Sequence, residues 1–331
     1  MKGRPISRRD ALKRGVAGAA GLAAVGKLLS ASERASLPHG GVHANTTVGE
    51  PLAAGIDPHV YLTEFDYGAV SQLPDGRTLR EFTVVATERE LEVAPGIFYP
   101  AWTYNGRVPG PTIRATEGDL VRVRFHNSGQ HHHTIHFHGV HAARMDGAFE
   151  QVPPGGEFVY EFTAAPFGLH LYHCHTMPLR RHIAKGLYGV FIVDPKSPRP
   201  PAHEMVMVMN GFDINFDGAN EIYAVNTVPF AYQERPITIR RGEKQRVYLV
   251  NALEFDLVNS FHLHGNFFDV YRTGTRHEPH EFTDTVMMCQ GERHVIEFTY
   301  EDEGPFMFHA HQSEFAELGW TGVFDVVGAL A

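Results

Sequence analysis

The sequence is short of cysteine, of long apolar runs and, after its first residues, of basic side chains. It has 331 residues but only two cysteines, so at most one disulfide can form. No segment approaches the roughly 20 apolar residues that a membrane helix needs. No long amphipathic helical pattern is present either, so we expect the chain to fold from strands.

Basic residues are scarce beyond the N-terminal segment. Residues 1–34 hold eight Lys/Arg and two Asp/Glu, which leaves 21 basic and 36 acidic residues, a formal charge of −15. Because nucleic-acid binding depends on basic surfaces, this balance argues against a nucleic-acid partner.

The N-terminal segment has the pattern of an export signal. Ser7–Lys13 is a twin-arginine pattern, and an apolar run of small residues from Gly15 to Gly26 follows it. The run is too short to span a bilayer, so we predict a signal over residues 1–35 and no membrane anchor. We therefore predict export by the twin-arginine pathway to a periplasmic or extracellular location. Residues 36–80 are predicted to form an N-terminal arm, and the sequence indicates no role for it.

Short runs of alternating apolar and polar residues recur along the rest of the chain. Examples are Val121–Phe125, Phe158–Phe162 and Val323–Val327, with Gly and Pro clusters between such runs. The runs fall into two similar halves, separated by the proline-rich linker Asp194–Pro201. The sequence therefore predicts an all-β protein with two β-sandwich domains in tandem, over residues 81–195 and 203–328.

Eight histidines form four His-Xaa-His pairs, two in each half. They are His136 and His138, His173 and His175, His262 and His264, and His309 and His311. Residues i and i+2 of a strand point to the same side, so both members of a pair can reach one metal centre. One pair among 22 histidines would be unremarkable, but four pairs at matching points of a repeat predict a metal site. Imidazole suits several metals, and the thiolate of Cys174 within the second pair narrows the choice towards redox-active copper.

The second cysteine is not expected to join this site. Cys289 follows the apolar run Thr285–Met288, so we predict a small buried side chain, although a bridge to Cys174 is formally possible. Three methionines that alternate along one predicted strand are expected to pack in the core: Met205, Met207 and Met209.

From about residue 80 to 328, this set of motifs resembles the two-domain multicopper oxidases, which are small laccase-like enzymes. The resemblance implies two cupredoxin-like Greek-key sandwiches. It also implies a blue, type 1 copper that takes electrons from a donor, and a cluster of one type 2 and two type 3 coppers that reduces dioxygen to water. Four coppers per chain would follow, with dioxygen and a small reducing donor as partners. The donor class stays open among phenols, aromatic amines and metal ions.

The resemblance assigns the type 1 copper to domain 1. Its ligands match His133, Cys174 and His182, with Leu187 at the usual axial position and Met177 as the alternative. A leucine there would not coordinate, which would favour Cu(I) and raise the reduction potential. In the second half, the matching positions hold residues unsuited to this copper: Asn259, Ala310, Phe315 and Trp320.

The resemblance divides the cluster ligands between both halves. His136 and His262 match type 2 ligands. Six others match type 3 ligands: His138, His173, His175, His264, His309 and His311. Asp146 resembles the acid that laccases place near type 2 copper, and Glu314 is a second candidate for supplying protons.

A single blue copper in the first of two domains also resembles the copper nitrite reductases. These are trimers whose catalytic copper lies between two subunits, so the resemblance implies a homotrimer with the cluster between neighbouring chains. Nitrite reductases have Asp at the position of His136 and lack a second histidine after the cysteine, which favours dioxygen as the oxidant here. Nitrite reduction and non-catalytic copper binding stay open as alternatives.

Overall fold

The computed structural model describes residues 52–53 and 57–328. The predicted export signal lies outside these residues. Within them, the α-helices are only four to six residues long, and no helix is long and apolar enough to cross a membrane. Strands dominate, as the alternating sequence pattern predicts.

The first sandwich, domain 1, contains ten strands in two sheets. Its strands are β1 (Leu52–Ala53), β2 (Ala69–Gln72), β3 (Thr78–Ala94), β4 (Ile97–Tyr104), β5 (Ile113–Thr116), β6 (Leu120–Asn127), β7 (His136–Phe137), β8 (Glu157–Thr163), β9 (Gly168–His173) and β10 (Tyr188–Asp194). Its helices are α1 (Pro58–Thr63), α2 (Leu179–Ala184) and the 3₁₀ helix Ala143–Met145. The outer sheet has the order β1-β3-β6-β8, with β2 and β4 also paired to β3, and the inner sheet has the order β5-β10-β9-β7.

The second sandwich, domain 2, repeats this design. Its strands are β11 (His203–Phe212), β12 (Ile222–Val225), β13 (Ile237–Arg240), β14 (Gln245–Asn251), β15 (Val258–Leu263), β16 (Phe268–Arg272), β17 (Glu281–Thr283), β18 (Thr285–Cys289), β19 (Arg293–Phe298), β20 (Gly304–His309) and β21 (Thr321–Val327). Its helices are α3 (Ala231–Glu234) and α4 (Ser313–Glu317). The inner sheet has the order β12-β11-β14-β19-β16-β17, and the outer sheet has the order β13-β21-β20-β15-β18.

The two inner sheets pack face to face, so the four sheets form successive layers. Strand β11 illustrates why. The three methionines at 205, 207 and 209 point into the core of domain 2, as predicted, whereas Val206 and Val208 face domain 1. Leu171 of β9 and Ile192 of β10 meet them from the inner sheet of domain 1. Because successive strand residues alternate sides, both inner sheets are buried on both faces.

Strand β18 corrects one prediction from the sequence. Cys289 is exposed and forms no disulfide, so the prediction of a buried side chain was wrong. Val286 and Met288 point into the core of domain 2, and the same alternation turns Met287 and Cys289 outward. The apolar run indicated a strand correctly but did not reveal which of its positions would be covered.

Candidate metal centre

Three buried side chains from separate segments of domain 1 converge at the predicted type 1 site. Cys174 directly follows β9, His182 lies on α2, and His133 precedes β7. The Cys174 Sγ atom is 3.3 Å from Nδ1 of His182 and 3.9 Å from Nδ1 of His133. The two Nδ1 atoms are 3.2 Å apart. One sulfur and two nitrogens therefore face a common point.

The environment of this site keeps its imidazoles able to bind a metal. Burial lowers the pKa of His133 to about 3 and that of His182 to about 4, so both rings are neutral at pH 7. The backbone N–H of Thr134 donates to Cys174 Sγ at 3.4 Å, which helps to fix the position of the sulfur. Two neutral imidazoles and a thiolate in a buried trigonal set fit copper.

The two candidates for the axial position differ in burial. Leu187 is 0 % exposed, and its carbonyl accepts a 3.0 Å hydrogen bond from the backbone N–H of Cys174. Met177 is 75 % exposed. The geometry thus favours Leu187 as the residue beside the sulfur.

A second histidine set lies at the edge of the inner sheet of domain 1. His136 on β7 pairs with His173 on β9 in the strand register, and the ring of His175 is 5.4 Å from that of His136. Nε2 of His138 is 3.2 Å from Nε2 of His173. Burial lowers the pKa of His138 to about 2, which keeps that ring neutral.

Domain 2 builds a matching set on its outer sheet. His262 on β15 pairs with His309 on β20, and Nε2 of His309 is 2.9 Å from Nε2 of His264. The ring of His311 is 5.3 Å from that of His262. His264 and His311 are exposed, so this set lies open on the surface of the chain.

Hydrogen bonds to backbone carbonyls orient the rings in both sets. Nδ1 of His136 lies 2.7 Å from the carbonyl oxygen of Asp146, and Nδ1 of His262 lies 2.9 Å from that of Asp284. A ring that donates through Nδ1 keeps its Nε2 lone pair for a metal, which is the usual arrangement around metal-binding histidines.

Known proteins share this architecture. Residues 86–198 and 198–329 match two family models, each described as multicopper oxidase. The chain belongs to the multicopper oxidase family. A crystal structure of a multicopper oxidase is 55 % identical, with a TM-score of 0.82 over 83 % of this chain and 98 % of that one. The predicted pair of cupredoxin-like sandwiches is confirmed.

This multicopper oxidase is also similar to nitrite reductases. A copper-containing nitrite reductase of Neisseria meningitidis serogroup A is 30 % identical over 267 residues, which is 73 % of this chain and 68 % of that protein. The structure of a copper nitrite reductase from Nitrosomonas europaea is 28 % identical, with a TM-score of 0.69 over 75 % of this chain and 94 % of that one. The predicted relationship to nitrite reductases is confirmed as well.

In domain 2 of the oxidase, apolar side chains fill the place that matches the type 1 site. The backbone N–H of Ala310 donates to the carbonyl of Trp320, just as Cys174 donates to Leu187 in domain 1. Trp320 is 0 % exposed, and Phe315 stacks on Tyr223 with ring centroids 4.1 Å apart. Without a thiolate or either imidazole, this place cannot hold a type 1 copper.

The two histidine sets of the oxidase lie far apart within one chain. The first is on the inner sheet of domain 1 and the second on the outer sheet of domain 2, with the inner sheet of domain 2 between them. Stacked sheets are about 10 Å apart, so the two inter-sheet spacings put the sets about 20 Å apart. Each set holds four of the eight paired histidines, and we call each set a half-site.

The two candidate acids differ in position. Oδ1 of Asp146 is 3.4 Å from Nδ1 of His136, and the Asp146 side chain is 31 % exposed, so it contacts both a cluster histidine and solvent. Glu314 lies on α4 with an exposed side chain, three residues beyond His311.

Sequence reasoning missed one residue of this centre, Trp102. Its ring centroid is 4.8 Å from that of His182 and 5.2 Å from that of His133, and the side chain is only 5 % exposed. It comes from β4, about 30 residues before the first histidine motif, and no local pattern links it to the site.

Proposed function

We propose that this protein is a laccase-like oxidase with four coppers per chain. It takes single electrons from a reducing donor at the Cys174 site and passes four of them to dioxygen, which becomes two waters. The observation that carries this proposal is the pairing of a buried Cys–His₂ site with two groups of three histidines, each with a fourth histidine ring about 5 Å away. When bound, copper supplies the one-electron chemistry at the first site and the reduction of dioxygen at the second.

The chain supplies the connection between the two sites. His133, Cys174 and His182 would hold the type 1 copper, and His173 and His175 flank Cys174 in the backbone. These flanking residues belong to the half-cluster of domain 1, so a short covalent path joins the thiolate to both imidazoles. Asp146 would hold a proton at its carboxylate beside His136 and exchange it with solvent.

Copper content and oxidant choice test the proposal together. We expect elemental analysis of the loaded protein to give four coppers per chain, and an oxygen electrode to show uptake with a phenol or an organic dye as donor. A value of two coppers, with nitrite consumed in place of dioxygen, would establish the nitrite reductase alternative that the Neisseria relative favours. Full copper loading without turnover of either oxidant would indicate a binding protein.

The axial position gives a second test. Replacing Leu187 by methionine should lower the reduction potential of the blue copper, because a thioether donor stabilises Cu(II) relative to Cu(I). Spectroelectrochemical titration measures the potential. Leu253→Met, in the core of domain 2, is the matched control and should leave it unchanged. An equal potential in both variants would remove Leu187 from the axial position.

We also propose that the oxidase is a homotrimer with its cluster between subunits. The support is the layer of sheet that separates the two half-sites, together with the exposure of His264 and His311. A half-site with four histidines offers too few ligands for three coppers. A neighbouring chain can supply the other four, and a cyclic arrangement lets every half-site find its complement.

The location follows from the twin-arginine pattern near the N-terminus, and we propose export out of the cytoplasm by that pathway. Cell fractionation should find the mature protein outside the cytoplasm. Replacing Arg8 and Arg9 by lysine should retain it inside.

A further inference from the structure

Three cationic side chains surround the His182 side of the type 1 site. Arg180 and Arg181 lie on α2 beside His182 and are exposed, and Lys185 follows at the end of this helix. Among the described residues, none of the three takes part in an ion pair within 4.0 Å. We call these three residues the cationic face.

Aromatic rings hold each of these cations in place. The Arg180 guanidinium lies 4.8 Å from the ring of Phe255, which belongs to domain 2. The Lys185 ammonium lies 4.4 Å from the ring of Phe216, also of domain 2. A cation fixed over a ring loses little freedom when it binds a ligand, and a stacked guanidinium still offers its N–H edge to a carboxylate.

The nearby acidic groups are mostly engaged elsewhere. Oε1 of Glu88 binds His131 at 2.9 Å, and the carboxylate of Asp213 accepts hydrogen bonds from the backbone of its own loop. Burial raises the pKa of the Glu254 carboxyl to about 7, while the charge of Arg180 acts to lower it. Among the described residues, none of these three acids forms an ion pair with the cationic face within 4.0 Å, so the face remains open to an outside anion on a chain whose formal charge beyond residue 34 is −15.

The cationic face is coupled to the metal site through Trp102. The Arg181 guanidinium lies 5.1 Å from the Trp102 ring, and this ring contacts both His133 and His182. A molecule bound to Arg181 therefore lies one aromatic side chain away from the two imidazoles. Two exposed apolar side chains border the same region, Met177 at 75 % and Leu257, two residues after Phe255, at 80 % exposure.

We propose that the electron donor of this protein is a small aromatic anion, a phenol that carries a carboxylate or sulfonate group, and that it binds on the cationic face. The proposal rests on the oxidase function proposed above. The acid group pairs with Arg180 or Arg181, and the ring lies against the apolar border formed by Met177 and Leu257, with Trp102 between Arg181 and the imidazoles. Each donor gives up one electron and its phenolic proton and leaves as a radical. Four donors thus supply the four electrons and four protons that turn one dioxygen into two waters.

The effect of salt on the reaction rate of charged donors tests this proposal. The cationic face predicts that salt slows an anionic donor, whereas the net negative charge of the protein predicts that salt slows a cationic one. The probes are ferrocenecarboxylate and (ferrocenylmethyl)trimethylammonium, two one-electron donors of opposite charge compared at equal driving force. Stopped-flow bleaching of the blue band under anaerobic conditions gives the rates. We expect the anionic donor to react faster at 10 mM salt and to slow several-fold at 200 mM, because salt screens the local attraction. A faster cationic donor at low salt would show that the net negative charge governs the encounter and would overturn the proposal.

Removing the two arginine charges tests whether the cationic face causes the faster reaction of the anionic donor. The variant Arg180→Gln with Arg181→Gln should slow the anionic donor by about tenfold at low salt and speed the cationic donor, which the two arginines repel. Arg276→Gln, at an exposed arginine of domain 2, is the matched control and should change neither rate. Arg180→Gln alone, which leaves the contact between Arg181 and Trp102 in place, guards against a disturbed site, and the potential of each variant is measured separately. Equal losses in the double variant and the control would refute the assignment.

A binding measurement is independent of turnover. Calorimetric titration of the copper-loaded protein with naphthalene-2-sulfonate, a non-reducing aromatic anion, should show binding that the double variant weakens and Arg276→Gln does not. Binding that is equal in all three proteins would overturn the proposal even if the enzyme oxidises donors normally. Absence of a blue band or of oxygen uptake would instead refute the oxidase function itself.

Discussion

A Cys174→Ser variant is expected to lose the intense blue band and all detectable turnover with donor and dioxygen. Serine offers no thiolate, so His133 and His182 would be left without the soft ligand that defines a blue copper site. The loss would also break the covalent path from the donor site to His173 and His175. The cluster histidines are untouched, so the coppers of the cluster should remain bound. Absorption spectra, oxygen uptake and elemental analysis measure the three outcomes.

The chain contains a matched control for this substitution. Cys289 is the other cysteine, it is exposed, and it forms no disulfide. Cys289→Ser should therefore keep the blue band, the copper content and the turnover of the parent protein. A blue band that survives in Cys174→Ser but disappears in Cys289→Ser would reverse the assignment of the two thiols.

Two inactive variants are expected to restore activity when they assemble together. One variant lacks His136 and His138, and the other lacks His262 and His264. Each homotrimer should be inactive, because every interface then lacks two of its eight ligands. In a cyclic trimer that contains both kinds of chain, one interface of the three has intact ligands on both sides, whichever chain is in excess. Mixed trimers should thus reach about a third of the parent rate.

The design of this experiment must separate assembly from activity. Co-expression with two different affinity tags and sequential purification yields trimers that contain both chains, and native mass spectrometry verifies their composition. Each variant purified alone, and the two mixed after purification, serve as controls. Verified mixed trimers without any activity would mean that each cluster is built within a single chain.

The histidine sets could be predicted from the sequence because strand geometry is local. A spacing of two residues places both members of a pair on one side of a strand, whatever the rest of the fold does. His136 then lies opposite His173 in the strand register, and His262 lies opposite His309. The second pairing repeats the first because domain 2 repeats the strand pattern of domain 1. For the same reason, the alternation of the three methionines along β11 was enough to assign them to a core.

Features that depend on contacts between distant segments could not be predicted from the sequence. Trp102 reaches the type 1 site from β4, and nothing in its neighbourhood of the sequence indicates a contact with His182. Cys289 was misjudged because an apolar run does not tell which face of β18 another element will cover. The order of the four sheets, and with it the distance between the half-sites, depends on how two complete domains dock.

The alternation along β11 ties the two domains into one body. Its odd-numbered methionines fill one hydrophobic core, while Val206 and Val208 cover the apolar face of the neighbouring domain. Near the other end of the described chain, Tyr61 and Leu62 of α1 join the same two apolar layers, one each. A cut in the linker between β10 and β11 would expose a wide apolar surface on both pieces, and such surfaces promote aggregation. The repeat that is so plain in the sequence therefore does not mark two separable modules, because the chain has merged its duplicated halves into a single unit of folding.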